Sequence, residues 1–243
     1  MNSSDVLRNN EIEVNEMKSK DIFKKLKSDY FLQKLFNNLL KKKSLEIIKY
    51  NKNIKNRINI NIKDYKEYSE IYSSIEIEIK PVKDEYGEFI NTNKENEKYY
   101  HIYFNDNKEE IKRNYLNENE KIKTIKIIID YQVKSFAYLF YDCKCIESLQ
   151  FKKFHRNNLN NMKSMFYGCS PLNELNLSNF NTNNVTNMVS MFSGCSSLKE
   201  LNLSNFNITN VTVMHSMFYG CSDEFKNKNK SQYKNIKPEA FFN

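Results

Sequence analysis

Apolar positions in the second half of the chain recur on a fixed beat. Leu172, Leu175, Leu177 and Phe180 form L-x-x-L-x-L-x-x-F, and Leu198, Leu201, Leu203 and Phe206 form it again. The alternation Leu175-Asn176-Leu177 has the period of a strand with one buried face. Asn/Thr-rich turn sequence follows, with Val185 or Val211 as its apolar anchor. Met188, Met191, Phe192 and Cys195 then stand at helical spacing, which predicts a short helix with Asn184 or Thr186 as N-cap. Gly194 and Gly220, each just before a cysteine, suit the left-handed residue that ends a helix. Each unit therefore reads as strand, turn, short helix, turn.

Cys143, Cys169, Cys195 and Cys221 lie 26 residues apart, as do Phe140, Phe166, Phe192 and Phe218. Two clear copies fill Ser170–Cys221, a weaker one fills Lys144–Cys169, and a fainter one ends at Cys143. Self-similarity at such a period is the mark of a solenoid, in which no unit buries its apolar side alone and stacking puts Leu on Leu and Phe on Phe. The stretch LNLSNFNTNNVTNMVSMFSGCSSL resembles the 26-residue leucine-rich repeats of BspA-like surface proteins. The resemblance implies parallel strands on one side, short helices on the other, and a role in adhesion or surface interaction. Phe180 and Phe206 stand where many leucine-rich repeats carry Asn, so a phenylalanine stack is expected there in place of an asparagine ladder.

Upstream the pattern changes. Residues 1–19 are polar and read as a loose arm. Ile22, Phe23, Leu26, Leu32, Leu35, Phe36 and Leu39, then Leu45, Ile47 and Ile48, predict a helical hairpin over 20–57. Ile58/Ile60/Ile62, Ile75/Ile77/Ile79 and Tyr99–Phe104 predict strands of a β-rich cap over 58–120, the last as the return strand of a hairpin, with Asp64–Tyr72 as a short helix and Asn105–Glu120 as charged, partly helical sequence. The solenoid is expected over 121–225, with Ile122–Ile129 as its first strand, and a basic Asn/Lys tail over 226–243. The fold class is thus α+β: a short leucine-rich-repeat solenoid behind a helical hairpin and a small β cap. At the far end, either the last rung stays bare and associates with another chain, or Phe225, Phe241 and Phe242 fold over it.

The 243 residues include 17 Phe and 16 Tyr, with 40% hydrophobic content, so a core is within reach. Only four Gly and three Pro occur, and Asn is expected to supply the left-handed turn positions instead. The net charge of +8 sits in the flanks, because Ala137–Cys221 holds six Lys/Arg against four Asp/Glu. Those basic clusters lack Arg forks and are diluted by Asn, so solvated surface is expected and nucleic acid is not. No apolar leader or membrane span is read in the chain, which makes the cytoplasm the default compartment and the cell surface the alternative that the resemblance implies.

Four cysteines in register form a row, where zinc needs a tetrahedron, so they are expected to be buried and reduced. His101, His155 and His215 lie in unrelated contexts, and no Gly-rich phosphate loop is present. Neither catalysis nor a cofactor or metal is expected. What remains is the outward row of the sheet: Ser148, Gln150 and Lys152, then Glu174, Asn176 and Ser178, then Glu200, Asn202 and Ser204. On a rigid sheet this row could bind a partner protein or peptide. The alternatives are an F-box-like adaptor, suggested by the cadence of FLQKLFNNLLKKKSLEIIKYNKNIKNR although its opening Leu-Pro is missing, and a structural repeat protein with no specific partner.

Overall fold

The computed structural model describes residues 52–57, 73–131 and 133–242, and the chain divides into two units, Met1–Tyr72 and Ser73–Asn243. In the first, the described residues form one helix, α1 (Lys52–Arg57). The arm, the rest of the expected hairpin, the strand at Ile58–Ile62 and the helix at Asp64–Tyr72 lie outside the described residues.

The second unit opens with antiparallel structure. β1 (Ile75–Pro81) alternates as its sequence requires, with Ile75, Ile77 and Ile79 fully buried and Glu78 and Lys80 in solvent. β2 (Gly87–Glu88) pairs with β4 (Tyr115–Leu116), so Asn105–Glu120 is loop and strand rather than helix. β3 (Tyr100–Phe104), β5 (Ile125–Ile129), β1, β6 (Ile146–Lys153) and β7 (Glu174–Asn176) make one sheet in that order. Only β6 and β7 are parallel. β3 pairs with β5 and not with β1, so it is not the return strand of the expected hairpin. β5 is flanked by β3 and β1, both antiparallel, and is therefore not the first rung of a solenoid. Arg156 ties one end of this sheet: its guanidinium donates to the carbonyls of Ser73, Tyr131 and His155, just outside β1, β5 and β6.

The repeats begin later and are built differently from the expected strand-and-helix leucine-rich repeat. No helix forms over Met188–Cys195. The amides of Met188, Ser190, Phe192 and Gly194 donate to the carbonyls of Val213, His215, Met217 and Tyr219 in the next copy, at 2.7–3.1 Å. The intervening amides of Met191, Ser193 and Cys195 close turns onto Met188, Ser190 and Phe192. The alternation runs through Phe136–Cys143 and Met162–Cys169 as well. A helix requires every amide to reach back four residues with φ negative throughout. Here half of the amides leave for the next rung, and Ser164, Ser190 and Ser216 have φ of 51°, 53° and 56°. This is a column of stacked turns, and the parallel pairing reduces to β6–β7 and single bridges such as Glu174–Glu200 and Asn187–Val213.

Packing explains the beat. Phe140, Phe166, Phe192 and Phe218 are fully buried and stack at 5.4, 5.8 and 5.7 Å between ring centroids, within 7° of parallel. Phe154 stacks on Phe180 at 4.2 Å in a second column. Asn has a different task from the one expected. In the repeats the left-handed residues are Ser and Gly, with Tyr138 and Asp142 in their places in the first turn, while Asn161, Asn176, Asn181, Asn187, Asn202 and Asn207 accept through Oδ1 from the amide two residues on. These Asx turns set the corners of each rung. Asn184, Asn205 and Asn210 donate through Nδ2 to carbonyls of the preceding rung, an asparagine ladder at positions other than Phe180 and Phe206.

The far end is closed. α2 (Asp223–Gln232) starts on Ser222, whose hydroxyl accepts from Phe225 N, and Phe225 and Phe241 pack on Phe218. Phe242 stays exposed. The condition under which the last rung would seek another chain is not met.

Gly194 has φ of +77°, and a Cβ there would lie 3.3 Å from Gly168 Cα, because glycine stacks on glycine along the column. Gly194→Ala is expected to lower stability by about 1–3 kcal/mol, read as the shift in a urea unfolding midpoint. An unchanged midpoint would mean that the left-handed, close-packed turn is not what holds this position.

Candidate functional site

The exposed face of the five-stranded sheet is a polar surface that the repeats help to build. Cross-strand register sets two rows on it. One runs Tyr103, Lys126, Glu78, Gln150, Asn176, and the other Lys80, Ser148, Glu174, Glu200. An open groove of about 820 Å3 lies over this face, lined by Lys80, Lys123, Gln150, Asn173, Glu174 and Lys199 among others.

Of the nine residues expected on the binding row, Ser148, Gln150, Glu174, Asn176 and Glu200 come together on this face. Lys152 is exposed but bonded to Glu78 of β1 at 3.0 Å. Ser178 and Ser204 sit in turns past the strand positions, where their amides donate to Asn176 and Asn202. Asn176 and Asn202 thus spend their Oδ1 atoms on their own backbone.

Sequence reasoning missed the N-terminal half of the face. Glu76, Glu78 and Lys80 alternate with the buried isoleucines, so their outward direction was readable. That β1 would insert antiparallel beside β6 was not. Ion pairs neutralise much of the surface: Lys80 meets Glu147 at 2.7 Å, Lys126 meets Glu76 at 3.7 Å and, at the other end, Lys228 meets Glu200 at 2.7 Å. The hydrogen bond and charge of Lys228 hold the Glu200 carboxyl below the usual carboxylate range, and those of Glu147 hold Lys80 above its own. Glu174 and Gln150 are exposed and stand outside these pairs.

The cysteine row lies inside. Cys169, Cys195 and Cys221 donate to the carbonyls of Phe140, Phe166 and Phe192 at 2.9–3.1 Å, and Cys145 lies against Glu88 O at 3.3 Å. Burial pushes the Cys169 and Cys221 thiols up to about 12 and Cys145 up to about 11, and raises Cys143 and Cys195 as well. Among the described residues, no group of three or more His, Cys, Asp or Glu is placed to hold a metal ion. His215 is exposed on a turn.

A family model described as Mycoplasma protein of unknown function, DUF285, matches residues 134–241. The match opens at the first turn of the column and ends at Phe241, the ring that closes it. No curated protein and no solved structure matches the chain. Among the described residues, no helix is long and apolar enough to cross a membrane.

A raised thiol pKa means little thiolate at neutral pH, and thiolate is the reactive form. Titration with a thiol reagent is therefore expected to be slow in the folded protein and complete for all five cysteines in denaturant. Fast labelling of any of the column cysteines under native conditions would contradict their placement.

Proposed function

We propose that the chain is a non-enzymatic protein-binding module that uses the exposed sheet face as its platform. The observation that carries this reading is the in-register surface Lys80–Ser148–Glu174–Glu200 beside Glu78–Gln150–Asn176, mounted on strands whose other face is fully buried. Such a surface has a fixed backbone, so a partner meets side chains already set in register and only their own rotamers are left to order on binding. It carries Glu, Lys, Asn and Gln without a dominant sign, which favours a protein surface of mixed polarity over a polyanion. The groove above it is shallow and open, the shape that suits an extended segment or a convex protein surface rather than a small molecule.

Gln150 and Glu174 are the positions to change, because both side chains are exposed and stand outside the ion pairs described above. The double variant Gln150→Lys/Glu174→Lys is expected to keep the wild-type melting temperature within a few degrees. It is also expected to lose partners that the wild type retains in affinity purification with mass spectrometry, whereas Thr212→Lys on the turn side keeps them. Retention of the same partners by the double variant would place binding elsewhere.

A further inference from the structure

The last turn of the column, Met214–Cys221, offers what every earlier turn offers its successor: outward amides and the face of a phenylalanine ring. Between complete rungs, Ser190 and Phe192 donate to His215 and Met217, carbonyls two residues apart. After the last rung no repeat follows, yet two of its four outward amides are used in the same way. Ser216 N donates to Glu239 O at 2.8 Å and Phe218 N to Ala240 O at 2.7 Å. Phe241 stacks on Phe218 at 5.3 Å, taking the next place in the phenylalanine column, and Ala240 beneath it has no exposed surface. The accepting carbonyls are consecutive rather than alternate, because Pro238–Ala240 is a tight 3-10 turn and not a copy of the repeat. Pro238-Glu239-Ala240-Phe241 shares no sequence pattern with Met214-His215-Ser216-Met217-Phe218. The end of the column therefore selects a chemistry: two carbonyls in a short turn, a small residue, then an aromatic ring.

The link that carries this segment is held at a few points. α2 buries Phe225 and Asn229, its Lys228 pairs with Glu200 at 2.7 Å, and Tyr233 just past it accepts from Leu203 N at 2.9 Å. Asn229 Oδ1 is buried with no hydrogen-bond partner among the described residues. Lys230 lies over the rings of Phe241 and Phe242 at 5.0 and 4.8 Å, a contact at the solvent edge, and Phe242 is 59% exposed. Past Ile236, which packs on the core, Pro238–Phe241 is held to the column by two backbone bonds, the Phe241 ring and the buried Ala240. A segment with so few ties, on a link with an orphaned buried acceptor, opens locally before the interlocked rungs do.

We propose that the open end of the turn column is a binding site for a short peptide segment of Pro-x-Ala-Phe type, filled here in cis by Pro238–Phe241 and exchangeable with such a segment from another chain. Proline at the head fixes φ and lowers the ordering cost of the segment. The small residue lets the backbone approach Phe218 and Ser216, and the aromatic supplies the buried area. This site stands apart from the sheet face, so either assignment can fail without the other.

Hydrogen exchange on the full-length protein tests it first. The amides of Ser216 and Phe218 are expected to exchange roughly tenfold or more faster than those of Ser190 and Phe192, which have the same bonds to a complete rung. Full-length Phe241→Ala is then expected to bind a fluorescent peptide of sequence Lys-Pro-Glu-Ala-Phe-Phe, that of residues 237–242, and to regain protection at Ser216 and Phe218 on binding. The same peptide carrying Phe241→Ala is expected not to bind. Equal exchange at the two pairs of amides in the wild type, or no binding of the peptide by a folded Phe241→Ala chain, would overturn the proposal. Should that variant not fold, the wild-type exchange decides alone.

Discussion

The hydrogen bond from an amide in one turn to a carbonyl 25 residues later is the constraint on which the repeat region rests. Phe140, Phe166 and Phe192 each make it, at 2.9 Å, and in each rung the residues two before and two after the phenylalanine make it too. Because every second amide is directed along the column, the turns cannot wind into helices. The amides left over close the turns, and the left-handed corners fall at fixed places, to Tyr138 and Asp142 in the first turn and to Ser and Gly in the others. Side chains of the same type then meet one another across rungs, and the Phe, Met and Cys columns follow from that geometry. Burial of a full phenylalanine in each rung contributes on the order of 2–3 kcal/mol, and the backbone bonds decide where it goes.

A ladder of this kind has two ends, and the chain satisfies both with unrelated sequence. At the start, Asn91 N donates to Leu139 O at 2.7 Å and Asn91 Nδ2 to Tyr141 O at 2.8 Å. One asparagine thereby supplies two donors that a preceding rung would have supplied from its backbone. At the finish, Glu239 and Ala240 offer carbonyls to Ser216 and Phe218. Buried backbone groups need partners, so these two small devices let a stack of four turns exist without further repeats. The antiparallel strands β3, β5 and β1 extend the sheet beside β6, and the exposed face becomes wider than the repeats alone would make it.

How far the sequence revealed this depends on which signal was in use. The 26-residue period located every member of the Phe and Cys columns, since periodicity reports what is stacked whatever the local backbone does. It misled on the backbone itself. Met188, Met191, Phe192 and Cys195 are all buried, as one face of a helix would be, but a coil of linked turns buries the same spacing. The glycines before each cysteine were rightly read as left-handed. The serines at 164, 190 and 216 were not, because Ser rarely adopts that conformation unless its surroundings impose it. Asn abundance pointed to turns; Asn105 and Asn119 are left-handed as expected, but the turns of the repeats use the Asn side-chain oxygen instead. Strand β1 was legible from Ile75, Ile77 and Ile79, whereas its place between β5 and β6 was not, because pairing partners are chosen by contacts distant in sequence. The outward row of the sheet was half visible for the same reason: the repeats display Gln150, Glu174 and Asn176, and β1 adds Glu78 and Lys80.

Scalar couplings across hydrogen bonds, measured by NMR on labelled protein, test the turn ladder most directly. The account predicts couplings from Phe140 N to the carbonyl of Met165, from Phe166 N to that of Met191, and from Phe192 N to that of Met217. A coupling from Phe192 N to the carbonyl of Met188, four residues back, would mean that the segment is helical and that the column of turns is wrong.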